Sequence, residues 1–483
     1  MKVSEVPLGP GALAFIGLYL VAMLVVGYLA KRAQRDESLG DFYLAGRSLG
    51  SVVLLLTLYA TQYSGNTVLG YPGEAYRLGF AWIMSVSFMM SIVVAYLPFA
   101  PRLQRLARQH HFVTPGDFLD YRFRSPALSY LANAVLVVSI ANYLLAQFMA
   151  MGHVVAGFSG NAVPYWVGVV VLVLVIVIYE TLGGLRAVAW TDSAQGALLF
   201  VGVVGLLFWA APTPSHWRSL TEWIGANDPA KTAVPDADVT QRWLETVVLV
   251  AFSGAVYPQA IQRIYAAKSA RSLKRSLQYM SFMPLVTIVP VVLTGLVGLR
   301  RFSGLEGVEA DQIVPMLLRD YALQSLPSYL LAVLVLTGAV AAIMSTADSV
   351  LLSLSSILAK DFLGKTLLRS APEARLTRTG KLLSWAVTGL LAWLAISPRI
   401  TLWGLIELKF ELLIQVAPAI ILGVIWPRLT SQAVLAGLVV GTVVAGSLAL
   451  SGVNGVAGIQ AGLFALGLNL VLSIGLSYRK GET

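Results

Sequence analysis

Long apolar runs recur from one end of the chain to the other, and they constrain the fold more than any other feature. A helix of about 20 residues crosses the hydrocarbon core of a bilayer. Hydrophobic residues make up 57% of the 483 positions and charged residues only 12%, whereas soluble domains carry about 25% charged residues. We therefore predict an all-α polytopic membrane protein with about 13 transmembrane helices. The predicted spans are residues 11–30, 49–71, 79–100, 127–157, 163–180, 187–211, 243–266, 275–299, 327–359, 380–397, 402–426, 430–450 and 457–478.

The composition also excludes several classes of site. Cysteine is absent from the sequence, which rules out disulfides, thiolate metal sites and thiol catalysis. The net charge of +10 comes from basic residues at the ends of the apolar runs, so we expect membrane lipids and not nucleic acid as partners. No nucleophile–base pair or metal cluster stands out, and we do not expect an enzyme.

The distribution of Lys and Arg predicts the orientation in the membrane. Basic residues are concentrated in alternate connections, such as Lys31–Arg32 after the first span and Arg263 to Arg275 after the seventh. By the positive-inside rule these connections are cytosolic. We therefore predict a multi-pass protein of the cytoplasmic (inner) membrane, with the amino terminus outside and the carboxyl terminus in the cytosol. The first apolar run lacks a convincing cleavage site, so we expect it to remain as a helix.

The ninth span carries a stripe of hydroxyl groups. Serines recur there at steps of 4, 4 and 3, which places on one helical face Ser345, Ser349, Ser353 and Ser356. Thr346 lies beside the stripe, and Asp348 is an acidic residue within the apolar run. Hard cations such as sodium prefer oxygen ligands, and acidic residues inside a membrane are usually functional. The alternative interpretation is that small hydroxyl residues allow close helix packing.

The second span contains a predicted break that supplies further oxygens. Polar or small residues occupy its middle, from Tyr59 to Thr67, and Gly65 lies among them. Backbone groups freed by a break in a membrane helix must be satisfied, commonly by lining a polar cavity. Unwound carbonyls at such a break coordinate cations in transporters. The alternative is an unbroken helix that is kinked at Gly65 and packs on its neighbours.

A second interruption lies five spans later, where Gly254 and Pro258 fall within an apolar span. Matching breaks in two groups of five spans predict a five-plus-five inverted repeat with discontinuous helices and the site between the halves. The whole chain, residues 1–483, would form one transporter domain. The predicted halves are 49–211 and 243–426, and the peripheral helices are 11–30 and 430–478.

Four stretches together resemble a known family, the sodium:solute symporters, over nearly the whole chain. They are Asp41–Gly50, Gly70–Gly73, Gly183–Asp192 with Gln195–Gly196, and Ala341–Thr346 with Lys360–Phe362. The resemblance implies a leucine-transporter-like fold and alternating access. It also implies a sodium site made by the backbone carbonyls of Ala60, Tyr63 and Ala342 and the hydroxyls of Ser345 and Thr346. The breaks and the hydroxyl stripe lead to the same two elements.

The resemblance implies a role for a second group of residues in the movement of the ion. Asp192 matches an aspartate on the inner route of sodium, which some relatives use in a second ion site. Tyr179, on the preceding span, is placed to gate that exit, and Asp348 belongs to the same group. For Asp192 the alternative is a capping residue at the start of a helix, after Thr191.

The solute site is less clearly marked. Tyr143 resembles a ligand-facing tyrosine of the proline transporter, but Gln62 replaces an aspartate that is important there, so a dedicated proline site is doubtful. Gln147 and Tyr257 contact either the solute or a neighbouring helix. An aromatic at the position of Phe410 closes the cavity in relatives. The complete candidate set is Gln62, Ser64, Gly65, Tyr143, Gln147, Tyr257, Phe410 and Glu411.

The eleventh span holds unusual charges. Glu407, Glu411 and Gln415 share one helical face, and Lys409 points away from it. In one interpretation a face of this helix reaches the cavity, and Lys409 or a glutamate pairs with the solute. In the other, these residues lie near the membrane surface and Lys409 extends to the headgroups.

These observations predict a sodium-coupled symporter that imports a small polar organic solute and functions as a monomer. The favoured solutes are carboxylates such as an amino acid, pantothenate or a monocarboxylate, with Na⁺ as the coupling ion. One alternative is a proton-coupled transporter of the same fold, in which Asp192 or Asp348 carries the proton. Another is a membrane protein that senses a solute.

Overall fold

A computed structural model describes residues 9–33, 38–159, 162–210, 213–397 and 402–479, which are predominantly helical. The helices of the first part are α1 (Gly9–Arg32), α2 (Leu39–Leu44), α3 (Ser51–Gln62), α4 (Tyr71–Leu78), α5 (Ser85–Tyr96), α6 (Ala100–Gln109), α7 (Pro115–Phe123), α8 (Pro126–Ser159), α9 (Tyr165–Ala210) and α10 (Pro214–Asn227). Those of the second part are α11 (Ala237–Ala255), α12 (Pro258–Ala266), α13 (Ala270–Met280), α14 (Met283–Arg301), α15 (Ile313–Ala322), α16 (Leu326–Ser356), α17 (Glu373–Ala395), α18 (Leu402–Leu413), α19 (Gly423–Ile425), α20 (Ser431–Leu450) and α21 (Ala461–Arg479).

Shorter elements connect some of these helices. Three segments are π-helical: Asn66–Gly70, Ile357–Leu363 and Pro418–Leu422. The 3₁₀ segments are Ala45–Arg47, Gly79–Met84, Pro229–Lys231, Gly307–Gln312 and Ile414–Val416. A small antiparallel hairpin pairs β1 (Gly455–Val456) with β2 (Ile459–Gln460).

The described residues contain nine helical segments that are long and apolar enough to cross a membrane. The number is ten when α11 and α12, which meet at an angle of 50°, are taken as one broken span. This agrees with a polytopic membrane protein. The count of about 13 spans and the inverted repeat stay predictions. The two chain ends, residues 1–8 and 480–483, and residue 211 at the end of the first predicted half lie outside the described residues.

Most of two predicted spans, residues 165–180 and 187–210, falls within α9, which changes direction at Gly184. This residue has φ +54° and ψ −149°, a backbone conformation that L side chains rarely adopt. A Cβ at this position would lie 2.4 Å from the carbonyl oxygen of Phe42. Glycine is therefore required both for the turn and for the close approach of α2.

Helix α16 lies at the centre of the fold. Its first turn is capped by Ser325, whose side chain accepts a hydrogen bond from the amide of Ser328. In an 18-residue apolar stretch of the Leu326–Leu363 span, 83% of the residues are buried inside the protein. In the corresponding stretch of the α1 span the buried share is only 17%. Helices α3, α8, α9, α12 and α17 all pack against α16. A polar group on α16 is thus enclosed by protein and not by lipid.

Candidate functional site

Helix α3 ends in a true break. The amide of Tyr63 makes the last regular helical bond, to the carbonyl of Tyr59, and the amides that follow find partners outside the helical pattern. The amide of Ser64 donates to Thr67 Oγ1 (3.2 Å), that of Gly65 to Gln147 Oε1 (3.0 Å) and that of Asn66 to Ser64 Oγ (3.2 Å). The carbonyls four residues earlier thereby lose their usual helical donors. The predicted break is present, and the alternative of an unbroken, kinked helix is wrong.

The freed carbonyls meet the hydroxyl groups of α16. Ser345 Oγ donates to the carbonyl of Ala60 (2.8 Å) and lies 3.1 Å from the carbonyl of Ala342. Thr346 Oγ1 lies 3.4 Å from the carbonyl of Thr61. All five residues are buried. Backbone carbonyls and hydroxyls without a carboxylate form a set of neutral oxygens that suits a hard cation of low charge.

Tyr63 and Gly65 shape the end of this site. Tyr63 terminates α3 with an extended backbone (φ −95°, ψ 106°), which turns its carbonyl out of the helical ladder. A Cβ at Gly65 would lie 2.5 Å from Ile343 Cγ1 and 2.8 Å from Ala150 Cβ. Glycine therefore lets the break press directly against α16 and α8. Four of the predicted sodium residues meet across the two helices, and Tyr63 adjoins them along the chain.

A second polar cluster contains a buried ion pair. Arg263 Nη2 donates to Asp192 Oδ2 at 2.7 Å, and both side chains are fully buried. The remaining guanidinium bonds go to Thr57 Oγ1 (2.8 Å), the carbonyl of Gln259 (3.1 Å) and Ser349 Oγ (2.5 Å). Thr57 also donates to Asp192. The structure thus binds Asp192 from two neighbouring helices, α3 and α12.

Asp192 is not a helix cap. It lies well inside the second part of α9, beyond the turn at Gly184, so the capping interpretation is wrong. The other two predicted ion-path residues join the same cluster. Tyr179 donates to Asp348 Oδ2, and Ser349 donates to Asp348 Oδ1 at 3.1 Å. The structure therefore brings Asp192, Tyr179 and Asp348 together through Ser349.

Arg263 is the residue of this cluster that sequence reasoning placed incorrectly. Its position near the end of an apolar span predicts a cytosolic headgroup contact, but its side chain has no exposed surface. The cause is the break at Val256–Tyr257, which starts a new helix, α12, whose residues are all buried. An arginine only five residues after a Pro-marked break was the available signal.

The hydroxyl stripe of α16 continues beyond these two clusters. Ser353 Oγ donates to Gln262 Oε1 (2.5 Å), and Gln262 Nε2 donates to Ser356 Oγ (2.7 Å). Ser349 Oγ also lies 3.2 Å from Thr61 Oγ1. Each of the four serines of the stripe therefore has a polar contact that crosses to α3 or α12. The stripe forms a continuous row of oxygens along α16.

A third cluster surrounds Lys409, which is 1% exposed. Its Nζ donates to Tyr257 Oη at 2.6 Å. The same nitrogen lies 3.5 Å from the ring centre of Tyr143, 4.2 Å from that of Phe410 and 4.6 Å from that of Tyr257. The rings of Tyr257 and Phe410 are parallel. The alternative in which Lys409 extends to the headgroups is therefore wrong.

The other predicted solute residues are distributed as follows. Gln62 Nε2 donates to Tyr96 Oη at 3.0 Å, while its Oε1 has no partner within the described structure. Gln147 is occupied by the amide of Gly65. Glu411 packs against Gly462 of α21. A Cβ added at Gly462 would lie 2.8 Å from the Cα of Glu411. The structure thus places Glu411 away from the Lys409 cluster.

A carboxylate outside the membrane spans links α4 to α18. Asp311 accepts hydrogen bonds from Arg77 Nη2 (3.2 Å) and from the amide of Leu402 (3.1 Å). Burial raises the pKa of Asp311 to about 6, although the nearby Arg77 acts in the opposite direction. Glu74 bonds the same guanidinium. This contact fastens the half of the broken span that follows the Asn66–Gly70 segment.

Comparison with solved structures supports the fold. A Na⁺-coupled sialic acid symporter, solved in a substrate-bound outward-open state, superposes with a TM-score of 0.79 at 18% identity, covering 98% of each chain. MHP1, a nucleobase-cation-symport-1 family transporter solved in a closed conformation, gives a TM-score of 0.58 at 15% identity, with 91% of this chain and 94% of that chain covered.

Sequence comparison identifies the family. The sodium/pantothenate symporter of Escherichia coli is 28% identical over 89% of this chain and 90% of its own length. The high-affinity proline transporter PutP of Bacillus subtilis is also 28% identical, over 87% of this chain and 88% of its own length. The family model for the sodium:solute symporter family matches residues 42–441. The chain therefore belongs to the sodium:solute symporter family and is a multi-pass membrane transporter that couples the movement of a solute to Na⁺.

Proposed function

We propose that this protein imports a small organic carboxylate together with sodium, which is bound where α3 breaks against α16. The observation that carries the proposal is the 2.8 Å contact of Ser345 Oγ with the freed carbonyl of Ala60. The proposed sodium ligands are the carbonyls of Ala60, Tyr63 and Ala342 and the hydroxyls of Ser345 and Thr346. A cation at this point would replace the Ser345 hydroxyl hydrogen as the partner of the Ala60 carbonyl.

Coupling follows from the two helices that such a cation would join. Sodium bound between α3 and α16 fixes the relative position of the break and so organises the adjacent solute site. The solute then binds more tightly when sodium is present, and sodium binds more tightly when the solute is present. A membrane potential that is negative inside adds about 2.3 kcal/mol per charge per 100 mV to sodium entry.

The carboxylate class rests on two relatives. Pantothenate and proline, which appear in their names, are chemically different but both carry a carboxylate. An amino acid, pantothenate or a monocarboxylate is therefore the proposed solute. The residues proposed to surround it are Gln62, Ser64, Gly65, Tyr143, Gln147, Tyr257 and Phe410. Glu411 is omitted because of its position against α21.

The cluster of Asp192, Tyr179 and Asp348 is proposed to receive the ion on its way out. Ser345 and Ser349 are one helical turn apart on α16, and Ser349 contacts both Asp348 and Arg263. An ion leaving Ser345 along the stripe would therefore meet Asp348 next. Replacement of Asp348 by Asn is expected to slow sodium release while sodium still binds at Ser345.

The two broken helices support the proposed five-plus-five arrangement. One break separates α3 from the Asn66–Gly70 segment, and the other bends α11 against α12 by 50°. With 13 spans and a cytosolic carboxyl terminus, the basic connections lie inside. We propose that one copy of the chain is sufficient for transport, because both breaks and α16 meet within a single chain.

The decisive experiment is a thermal-shift panel on the detergent-purified protein, with each solute tested in sodium and in potassium. The panel contains amino acids, pantothenate, short monocarboxylates, sialic acid and sugars. We expect one solute to raise the Tm only in sodium. The double variant Ser345→Ala/Thr346→Ala should lose this dependence, while the control Thr442→Ala/Ser447→Ala, the same deletions on peripheral α20, should keep it.

A solute shift that is equal in both salts and intact in the Ser345→Ala/Thr346→Ala variant would refute sodium coupling through this site. Uptake that follows pH in place of sodium would then favour the proton-coupled alternative, with Asp192 or Asp348 as the carrier.

A further inference from the structure

The Lys409 cluster, formed by Lys409, Tyr143, Tyr257 and Phe410, holds a buried amine that has no acidic partner among the described residues. Within the described part of the chain, the ammonium contacts one hydroxyl and three aromatic rings, and no Asp or Glu forms an ion pair with it. Charged side chains inside a membrane protein normally pair with an opposite charge or with carbonyls. The Lys409 amine is therefore available to pair with an anionic group from outside the chain.

We propose that Lys409 binds the carboxylate of the transported solute and selects anionic solutes over neutral ones. This inference rests on the proposed sodium-coupled uptake and adds to it the residue that reads the charge of the solute. In the solute-free protein the ring faces stabilise the ammonium by cation–π attraction. A carboxylate that enters the cluster adds a charge-assisted hydrogen bond, which is stronger than the bond to Tyr257.

The position of the cluster connects it to both breaks. Tyr257 is the residue that precedes α12, with a non-helical backbone (φ −54°, ψ 125°). Tyr143 extends from α8, and its hydroxyl lies close to the hydroxyls of Ser64 and Thr346. One ring thus separates the Lys409 ammonium from the break of α3 and from a proposed sodium ligand. The Lys409 cluster therefore lies between the two broken helices.

Nearby amides provide neutral contacts for the rest of the solute. Gln259 is fully buried two residues after Tyr257, and neither its Oε1 nor its Nε2 has a partner within the described structure. Gln62 Oε1, beside the other break, is likewise unpaired. Buried amides of this kind are costly unless they are hydrogen-bonded. They give the site donors and acceptors in addition to the ammonium.

The experiment compares acids with uncharged analogues in sodium: pantothenate with panthenol, and lactate with lactamide. We expect the wild-type protein to be stabilised by an acid at a concentration at least about tenfold lower than its analogue requires. In Lys409→Met that acid should need at least about tenfold more ligand, and the analogue should be unaffected. Lys409→Arg should keep part of the preference for the acid.

Two further variants complete the test. Lys274→Met, the same exchange at an exposed position of α13, should leave every concentration dependence unchanged. Tyr257→Phe retains the ammonium but removes its hydroxyl partner, so it provides a readout if Lys409→Met does not fold. A smaller loss of acid affinity is expected for Tyr257→Phe.

Unchanged affinity for the acid in Lys409→Met would overturn the inference. The same conclusion would follow if a neutral solute stabilised the wild-type protein as well as any acid did. If that neutral shift still needed sodium and vanished in Ser345→Ala/Thr346→Ala, sodium symport would stand and only the role of Lys409 would fail. The failure of this inference and the failure of the proposed function are therefore distinguishable.

Discussion

Arg263 and Lys409 are both buried basic residues beside the break between α11 and α12. Arg263 follows the break in the chain, and Lys409 contacts Tyr257 at the break, yet their surroundings differ. The Arg263 guanidinium donates four hydrogen bonds, one of them to the fully buried carboxylate of Asp192. The Lys409 ammonium has one hydrogen bond and three ring faces. One charge is balanced by the protein itself, and the other is not.

The difference separates the structural role of a buried charge from a binding role. A balanced pair holds α3, α9, α12 and α16 in one arrangement, and removal of one partner leaves the other charge buried and unpaired. An unbalanced charge lowers the stability of the empty protein, but it provides a place for a ligand of opposite charge. The Arg263 and Lys409 sites should therefore respond in opposite ways to replacement of the cation by methionine.

The largest effect is expected for Arg263→Met. This exchange leaves Asp192 buried without its cation, which costs about 3–5 kcal/mol in comparable buried pairs. The measurement is thermal unfolding in detergent without solute, and the Tm should fall well below that of the wild type. Arg275→Met, at an exposed position of α13, is the matched control and should change little.

A second variant sharpens this prediction. In Asp192→Asn/Arg263→Met the unpaired charge is gone, so a large part of the lost stability should return. Equal Tm values for the single and double variants would show that the ion pair is not what holds the four helices.

Lys409→Met is expected to act in the opposite direction on the solute-free protein. Methionine has a similar length and removes an unbalanced charge, and apolar replacement of buried charges is often neutral or stabilising by about 1–4 kcal/mol. The Tm without solute should be equal to or higher than that of the wild type. A fall comparable to that of Arg263→Met would contradict the comparison, since it would show that the lysine is also held in balance.

A smaller effect is expected for Ser349→Ala. Its hydroxyl contacts Arg263 and Asp348, and each net hydrogen bond of this kind contributes about 1–3 kcal/mol when a charge is involved. The Tm should fall less than for Arg263→Met, and solute selectivity should not change. Ser447→Ala on α20 is the control. A shift in the acid preference would show that the two clusters are coupled.

The smallest effect concerns Asp311, a partly balanced charge whose partner Arg77 is 20% exposed. Burial raises the pKa of Asp311 to about 6, above the value near 4 of an unfolded chain. The folded state therefore binds the proton more tightly, and this contribution to stability is lost as the pH rises from about 4 through 6. The Tm should be about 1–2 °C lower at pH 7.5 than at pH 5.

Asp311→Asn provides the control for that measurement, because its amide does not titrate. Between pH 5 and pH 7.5 the Tm of this variant should fall less than that of the wild type, and the difference should equal the Tm change assigned to Asp311. An unchanged pH dependence would assign the effect to other groups.

The two helices of the proposed sodium site were accessible to sequence reasoning because local signals mark them. Polar residues in the middle of an apolar span predict the break after Gln62, and the serine spacing predicts the face of α16 that carries Ser345. Each signal lies within a single helix, one in α3 and the other in α16, so neither needs tertiary information. The structure confirms the break, and it brings Ser345 to the carbonyl of Ala60.

The charges were harder to place for a physical reason. The helical pattern separates Lys409 from Glu407 and Glu411, but it does not indicate which of the two faces is buried. The structure turns Lys409 inward, and Glu411 packs on Gly462. Arg263 was ambiguous in the same way, since its burial depends on the direction that α12 takes after the break. Packing between distant helices decides both.

The break in α3 also bears on how the chain enters the membrane. The 12 residues of α3 span only about 18 Å, less than the hydrocarbon core of about 30 Å. The carbonyl of Ala60 obtains its partner from Ser345, which follows 285 residues later. At a synthesis rate of about 5–20 residues per second, that partner emerges about 15–60 s after Ala60. During this time the polar end of α3 depends on water or on the insertion machinery, so biogenesis of this transporter includes a waiting stage that a continuous helix would not need.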